Sequence, residues 1–124
     1  MRNRASTNNM NHIESLTPDR MASLFRAAAD PTRVRILALL QEAPELCVGD
    51  LQERLGAPQP TVSRHLACLL RQGLIARRKD GPFAWYSIRG DGQVKATILA
   101  LVAQVRGPLA RPATPAAEPL RALA

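Results

Sequence analysis

The sequence predicts a mainly α-helical fold that carries one small β-hairpin. Aromatic residues make up 3% of the chain, and Ala and Leu are abundant, which is typical of packed helices rather than of a sheet sandwich. Apolar residues recur at helical spacing over most of residues 17–106, whereas two β-branched and aromatic runs joined at Asp80-Gly81 indicate a hairpin. A chain of 124 residues is long enough for one domain with a single core.

Two proline-containing caps predict the starts of the first two helices. Each has an N-cap side chain followed by a proline in the first helical turn, at Thr17-Pro18 and Asp30-Pro31. The first helix is predicted to end near residue 29 and the second near residue 41. On the first helix we expect these apolar residues to lie inward: Met21, Leu24, Phe25 and Ala28. The second helix is expected to supply these core residues: Val34, Ile36, Leu37 and Leu40.

The next two helices are joined by a tight turn that contains glycine. The third helix begins in ELCVGDL, and its segment Val48 to Leu55 is amphipathic and is followed by the helix stop signal Gly56. The fourth helix is predicted to start near Gln59, and its apolar face consists of Val62, Leu66, Leu69 and Leu70. Such a pair is a helix-turn-helix. Because the hairpin from Leu74 to Ile88 follows directly, the sequence predicts a winged helix-turn-helix.

The last predicted helix runs from Gln93 to Arg106. Its apolar residues recur at the spacing of a narrow helix-helix seam, namely Val94, Ile98, Leu101 and Val105. Residues 1–15 are polar and Asn-rich, which predicts a mobile N-terminal arm. Residues 107–124 are rich in Pro and Ala, which predicts a disordered tail. The folded domain is therefore expected to comprise residues 16–106.

Positive charge is concentrated in the fourth helix and the hairpin. The chain has a formal net charge of +7 and a pI near 11.0, and residues 57–89 hold six basic side chains against one acidic side chain. This distribution favours a polyanion as partner. We find neither a secretory signal nor an apolar run long enough to span a bilayer, so we expect a cytoplasmic protein with no membrane partner. Two cysteines are too few for a disulfide framework.

The sequence resembles the ArsR/SmtB family of bacterial metalloregulatory repressors in four ordered segments. These are LFRAAADPTRVRILALL, ELCVGDL, QPTVSRHLACLLRQGLI and RKDGPFAWYSI. They cover about residues 20–90, and their combination is far more specific than any one of them. The resemblance implies a homodimer formed by the first and last helices. It also implies that the fourth helix is the recognition helix, and that the two copies of it lie in successive major grooves of an inverted-repeat operator. It also implies that an inducer releases the DNA and that no cofactor is required.

The polar face of the recognition helix is predicted to contact the operator. Arg64 suits bidentate contact with guanine, and Gln59 suits adenine. The hydroxyl groups of Thr61 and Ser63 are better suited to phosphate oxygens. His65 could contact a base, a phosphate or neither.

The hairpin is predicted to contact the DNA backbone, or to place one cation in the minor groove, through Arg77, Arg78 and Lys79. One residue departs from the family pattern, since Pro58 stands where relatives usually have Ser or Thr. A hydroxyl cap of the recognition helix is therefore absent, which removes about 1 kcal/mol of capping. Base contacts need not change.

The segment ELCVGDLQ corresponds to ELCVCDLC in the arsenic-sensing branch of the family, where three thiolates suit a trivalent arsenical. Cys47 matches the first thiolate, but Gly49 and Gln52 occupy the other two positions. The ligand sets of the zinc-sensing and cadmium-sensing branches are absent. Three interpretations remain open for Cys47 and Cys68. They bind arsenite, antimonite or an organoarsenical as the inducer; they form an oxidisable pair; or they are small hydrophobic residues that fill gaps.

These observations predict a homodimeric transcriptional repressor related to the arsenic-sensing branch. One alternative is a redox-responsive or inducer-independent regulator whose cysteines form no metal site. A second is a dimeric interaction module without specific DNA affinity, which would show no salt dependence of DNA binding. An enzyme with a cysteine nucleophile is disfavoured because the sequence offers no plausible His or Asp partner arrangement.

Overall fold

The computed structural model describes residues 16–107, and the elements of this part of the chain follow the predicted order. In sequence they are α1 (Pro18–Ala28), α2 (Pro31–Glu42), β1 (Leu46–Cys47), α3 (Val48–Leu55), α4 (Gln59–Arg71), β2 (Ile75–Asp80), β3 (Phe83–Ile88) and α5 (Gln93–Val102). The predicted N-terminal arm and nearly all of the predicted tail lie outside the described residues. Within residues 16–107, no helix is long and apolar enough to cross a membrane.

Both predicted N-caps are confirmed. The Thr17 hydroxyl oxygen accepts a hydrogen bond from the Arg20 N–H at 3.0 Å. The Asp30 carboxylate accepts two, from the N–H groups of Thr32 at 2.9 Å and Arg33 at 3.1 Å. Each cap satisfies amide donors that a helix leaves unpaired in its first turn, and is typically worth about 1 kcal/mol.

The α3–α4 unit is the predicted helix-turn-helix. Gly56 ends α3 in the left-handed conformation, with φ of 66°, and its N–H donates to the Gln52 carbonyl at 2.8 Å. Pro58 is the N-cap residue of α4 and makes no side-chain capping bond, as predicted, and Pro60 lies in the first turn of the helix. The apolar face of α4 is buried against the core through Val62, Leu66 and Leu69.

The hairpin is confirmed, and a third strand joins it. β2 and β3 pair antiparallel around a turn at Gly81, which has φ of 61°. The sheet order is β1-β3-β2, with Leu46 opposite Tyr86 and Cys47 opposite Trp85. The predicted helix from Val48 to Leu55 is confirmed, and the residues just before it, Leu46 and Cys47, form the strand β1, which was not predicted. Two residues are too few to show strand periodicity, and β1 exists because β3 offers it a free edge.

The core lies between the helices and the inner face of the sheet, but two predicted inward residues are not in it. On α1 the buried residues are Leu24 and Ala27, whereas Met21 is 39% and Phe25 50% exposed. The last helix ends at Val102 rather than at Arg106. The inward prediction for Met21 and Phe25 is wrong within one chain, because the apolar face of α1 is wider than the surface that this chain packs against it.

Phe25 of α1 and Leu101 of α5 line one groove of about 410 Å³. Leu101 is 62% exposed and Val105 39% exposed, although both belong to the predicted seam. This α1–α5 groove is lined by Phe25, Ala28, Ala29, Val34, Ile98, Leu101, Val102 and Val105. Its lining is almost wholly apolar, so water is a poor occupant.

Candidate nucleic-acid interface and thiol positions

The first two turns of α4 present four of the predicted DNA-contacting residues. Gln59 and Arg64 are exposed, and Thr61 and Ser63 are half-buried. The Gln59 side-chain amide donates to the Ser63 hydroxyl at 3.2 Å, which orders both groups. Among the described residues, Arg64 has no hydrogen-bond or ion-pair partner, so its guanidinium donors are available. Burial of the opposite helix face fixes the direction in which these side chains project.

His65 faces α2 instead. Its side chain is 14% exposed, and its Nδ1 atom lies 3.1 Å from Nη1 of Arg33 and 3.8 Å from the Asp30 carboxylate. Burial lowers the pKa of His65, because desolvation disfavours the imidazolium, and the nearby carboxylate opposes this shift. Little of the ring is therefore accessible to DNA.

The three predicted cations of the hairpin occupy two faces of strand β2, because successive strand residues point in opposite directions. Arg77 and Lys79 are exposed and have no ion-pair partner among residues 16–107. Arg78 donates to both oxygens of the Glu45 carboxylate, at 3.0 and 2.8 Å. The hydrogen bond from Arg78 holds the pKa of Glu45 below its ordinary value. The guanidinium of Arg78 is therefore already engaged within the chain.

Two further basic residues hold the C-terminal end of α4 in place, and neither was among the predicted DNA-contacting residues. Arg20 on α1 donates to the side-chain oxygen of Gln72 at 2.6 Å and to its carbonyl at 2.9 Å. Lys95 on α5 donates to the Gly73 carbonyl at 2.9 Å. Cations at a helix C-terminus interact favourably with its dipole and satisfy carbonyls. The helix α4 is thus joined to α1 and to α5, which both contribute to the α1–α5 groove.

Cys47 is the N-cap residue of α3. Its thiol and its backbone N–H both donate to one Asp50 carboxylate oxygen, each at 3.2 Å. Both hydrogen bonds lower the pKa of Asp50, and the bond from the backbone N–H has the larger effect. In this contact the Cys47 thiol is the donor and the Asp50 carboxylate is the acceptor.

The second candidate ligand, Cys68, lies half-buried on α4 and packs against the core. Both thiols are free. Among the described residues, no group of three or more His, Cys, Asp or Glu side chains is placed to hold a metal ion. At Gly49, which matches the second thiolate of the arsenic-sensing pattern, an added Cβ would lie 3.9 Å from the Cys47 sulfur. Position 49 therefore has room for a side chain beside the Cys47 sulfur.

Four residues of this region escaped the sequence analysis: Arg20, Arg33, Glu45 and Lys95. Each contacts a group more than 20 positions away along the chain. No local spacing marks such pairs. The only signal was indirect, since Arg33 and Glu45 lie inside segments that carry the family resemblance.

Comparisons with known proteins agree on one family. The model of "Bacterial regulatory protein, arsR family" matches residues 30–77. An HTH-type transcriptional regulator of Methanocaldococcus jannaschii is 41% identical over 73 residues, which cover 59% of this chain and 82% of that protein. The arsenical resistance operon repressor of Escherichia coli is 48% identical over 65 residues, 52% of this chain and 56% of the repressor. The chain therefore spans little more than half of that repressor.

A solved structure gives the same result. HlyU from Vibrio cholerae superposes with a TM-score of 0.60 at 37% identity, covering 67% of this chain and 88% of HlyU. These comparisons confirm the predicted winged helix-turn-helix and the prediction that the chain is not an enzyme. The chain belongs to the arsR family of bacterial DNA-binding transcriptional regulators.

Proposed function

We propose that the chain is a homodimeric repressor that binds an inverted-repeat operator through the exposed first turns of α4. The observation that supports this most directly is Arg64. It projects from a helix whose opposite face is buried, and no described residue occupies its guanidinium. A planar group with paired donors suits the O6 and N7 acceptors of guanine in the major groove. Gln59 would contact adenine, and the hydroxyls of Thr61 and Ser63 would contact phosphate.

The hairpin would hold the DNA backbone. Arg77 and Lys79 are exposed and would release counterions when they meet phosphate. Arg78 is bound to Glu45, so we assign it a smaller share of the binding. His65 is assigned no direct contact, because only 14% of its side chain is exposed.

The α1–α5 groove supports the dimer. Phe25 and Leu101 are large apolar side chains left 50% and 62% exposed in one chain, and covering the exposed part of each is worth about 1–2 kcal/mol. A second copy placed on this groove would cover them on both protomers under two-fold symmetry. Because Arg20 and Lys95 join α4 to α1 and α5, the dimer geometry would also set the spacing of the two recognition helices.

Fluorescence anisotropy tests this part of the proposal. The purified protein is titrated onto DNA from the region upstream of its own gene and onto a scrambled duplex of equal length and composition, at several salt concentrations. We expect tighter binding to the native duplex and a steep negative dependence on salt. Equal binding to both duplexes would contradict sequence-specific repression, and a flat salt dependence would favour an interaction module that does not bind DNA.

We further propose that a trivalent arsenical is the inducer and that Cys47 is its first ligand. ELCVGDL retains the surroundings of the family's arsenic site, and the Escherichia coli relative is named an arsenical resistance operon repressor. The Cys47 sulfur would replace one hydroxide on the arsenic and form an arsenic–sulfur bond. The displaced hydroxide would take the thiol proton and leave as water. The thiol then no longer donates to Asp50, which alters the start of α3. Cys68, of the same or the second copy, would supply a second thiolate for arsenite, antimonite or an organoarsenical.

Trp85 provides a direct readout of this step. It is the single tryptophan, and it lies opposite Cys47 in the sheet register, where paired side chains share one face. Titration with arsenite and with a methylated trivalent arsenical, under reducing conditions, should change its fluorescence and release the DNA. Cys47→Ser should abolish both changes and leave operator affinity intact.

Retention of the DNA at saturating concentrations of both arsenicals would overturn the proposed inducer. The same titration with hydrogen peroxide, without reductant, then tests the redox-responsive alternative, because oxidation of a thiol also removes the Cys47 proton.

A further inference from the structure

Arg33 links three helices at one point. Its Nε atom donates to the Ala27 carbonyl at 2.6 Å and its Nη2 atom to the Arg26 carbonyl at 3.2 Å, at the C-terminal end of α1. Its Nη1 atom lies 3.1 Å from Nδ1 of His65 on α4. Because a guanidinium can only donate hydrogen bonds, Nδ1 must accept. The imidazole is therefore neutral, with its proton on Nε2.

Protonation of His65 is incompatible with this contact. An imidazolium donates from both nitrogens and accepts from neither, and it would place a second positive charge beside Arg33. The charged groups around the ring are Arg33 and Asp30 from the start of α2 and Arg64 from its own helix. Asp30 would attract the cation, but it lies farther away, at 3.8 Å, and its carboxylate already accepts two backbone N–H groups. Burial and both arginines act against the charged ring and lower the pKa of His65.

We propose that Arg33 and His65 are positioning residues that set the orientation of α4 for operator binding, and that protonation of His65 breaks this contact at mildly acidic pH. The inference rests on the proposed DNA-contacting role of α4. His65 directly follows Arg64, so a shift of the helix at this point moves the side chain that contacts guanine. Acid would then weaken specific binding without any inducer.

The pH dependence of operator affinity tests this inference. Affinity is measured at constant ionic strength from about pH 8 to about pH 5.5, the range in which histidine titrates. We expect the wild-type protein to lose about tenfold in affinity over this range, because a protonated His65 must give up its proton before the contact with Arg33 can re-form. His65→Gln should bind well at high pH and change by less than about twofold, since its amide oxygen can accept from Arg33 and does not titrate.

The chain offers a matched control, because it has only two histidines. His12 lies outside the described residues, and His12→Gln should reproduce the wild-type pH profile. Arg33→Lys keeps the charge but cannot donate to three acceptors in a plane, so it should weaken operator binding at every pH. A nuclear magnetic resonance titration of the His65 ring should give a midpoint below the ordinary value for histidine.

Each contrary result has a distinct meaning. Tighter wild-type binding in acid, abolished by His65→Gln, would show that the imidazolium contacts DNA and would overturn the positioning role. A flat wild-type profile, or one that persists in His65→Gln, would overturn the acid response. Failure of the wild-type protein to distinguish operator from scrambled DNA at high pH would instead remove the proposed role of α4, and this inference with it.

Discussion

The proposed DNA-contacting surface and the thiol segment are adjacent in the chain, yet they retain the family pattern to different degrees. On α4 and the hairpin, exposed donors and cations are in place, and Arg64 is free of partners among the described residues. On β1 and α3 one thiol remains, and its neighbours at the other two positions are Gly49 and Gln52. The difference teaches that the residues proposed to bind DNA and those proposed to bind an inducer are separate sets. One can be lost, weakened or exchanged while the other is retained.

The largest expected effect comes from completing the thiol segment. We expect Gly49→Cys with Gln52→Cys to lower the arsenite concentration for half-release on the order of 100-fold, because added ligands on one short segment act at high effective concentration. The Cβ at position 49 has room, since its nearest neighbour is the Cys47 sulfur at 3.9 Å. Anisotropy with arsenite measures the shift, and Gly49→Ala with Gln52→Ala is the control. No shift would show that the segment differs from the arsenic site in more than its ligands.

The second effect concerns base contact. Arg64→Ala should weaken operator binding about 30-fold, equivalent to roughly 2 kcal/mol or about 1 kcal/mol for each of the two base contacts that the dimer would lose, and should change binding to scrambled DNA much less. Arg71→Ala, an exposed arginine in the last turn of the same helix, controls for loss of charge. If Arg64→Ala weakens both duplexes equally, Arg64 binds phosphate and the guanine assignment is wrong.

A smaller effect is expected for the basic residues of the hairpin, and it should differ between Lys79 and Arg78. Lys79→Ala should weaken operator and scrambled DNA alike by about threefold, and should reduce the slope of log affinity against log salt by about 1.8, because the dimer would lose two phosphate contacts worth about 0.9 each. Arg78→Ala should reduce the slope less, because Glu45 already neutralises this charge. Equal slopes for the two variants would show that the Arg78–Glu45 pair opens on DNA.

The smallest effect concerns the stability of the thiol segment. Asp50→Asn should lower the melting temperature by about 2–5 °C at neutral pH, because a neutral amide accepts the Cys47 hydrogen bonds less strongly. Since the pKa of Asp50 is lowered on folding from 3.8, its contribution is complete above pH 3.8 and is lost as the pH falls below that value. The difference in melting temperature should therefore shrink in acid.

Cys47→Ser serves as the control for that prediction. Serine is a preferred N-cap residue, so this variant should match the wild-type melting temperature within the error of differential scanning calorimetry. A large loss of stability in Cys47→Ser would mean that the thiol is needed for packing rather than for inducer binding.

The sequence predicted what depends on local pattern and turn chemistry. The caps at Thr17 and Asp30, the stop at Gly56 and the turn at Gly81 each follow from one or two residues. It did not predict the pairs Arg78–Glu45 and Arg33–His65, which are separated by 33 and 32 positions, because such contacts exist only after the helices pack.

Periodicity also identified the apolar faces of α1 and α5 without showing what covers them. The pattern predicts that both Leu24 and Phe25 lie inward, but Leu24 is 2% exposed and Phe25 is 50% exposed. A stripe that packs inside one chain and a stripe that packs between two copies have the same spacing. Similarly, the sequence leaves soft-metal binding open as one interpretation of its two cysteines, but only coordinates show that no three His, Cys, Asp or Glu side chains within residues 16–107 are placed to hold a metal ion.

The entry to α4 has a consequence for the entropy of binding. Two of the three residues Pro58, Gln59 and Pro60 have their φ angles fixed by a pyrrolidine ring, so the segment that leads into the recognition helix loses little freedom when DNA arrives. A surface ordered in advance avoids the cost of ordering on association. We therefore expect the heat-capacity change of operator binding, measured by calorimetry, to match the value calculated from the surface that the complex buries. Folding of this helix on binding should add nothing to that value.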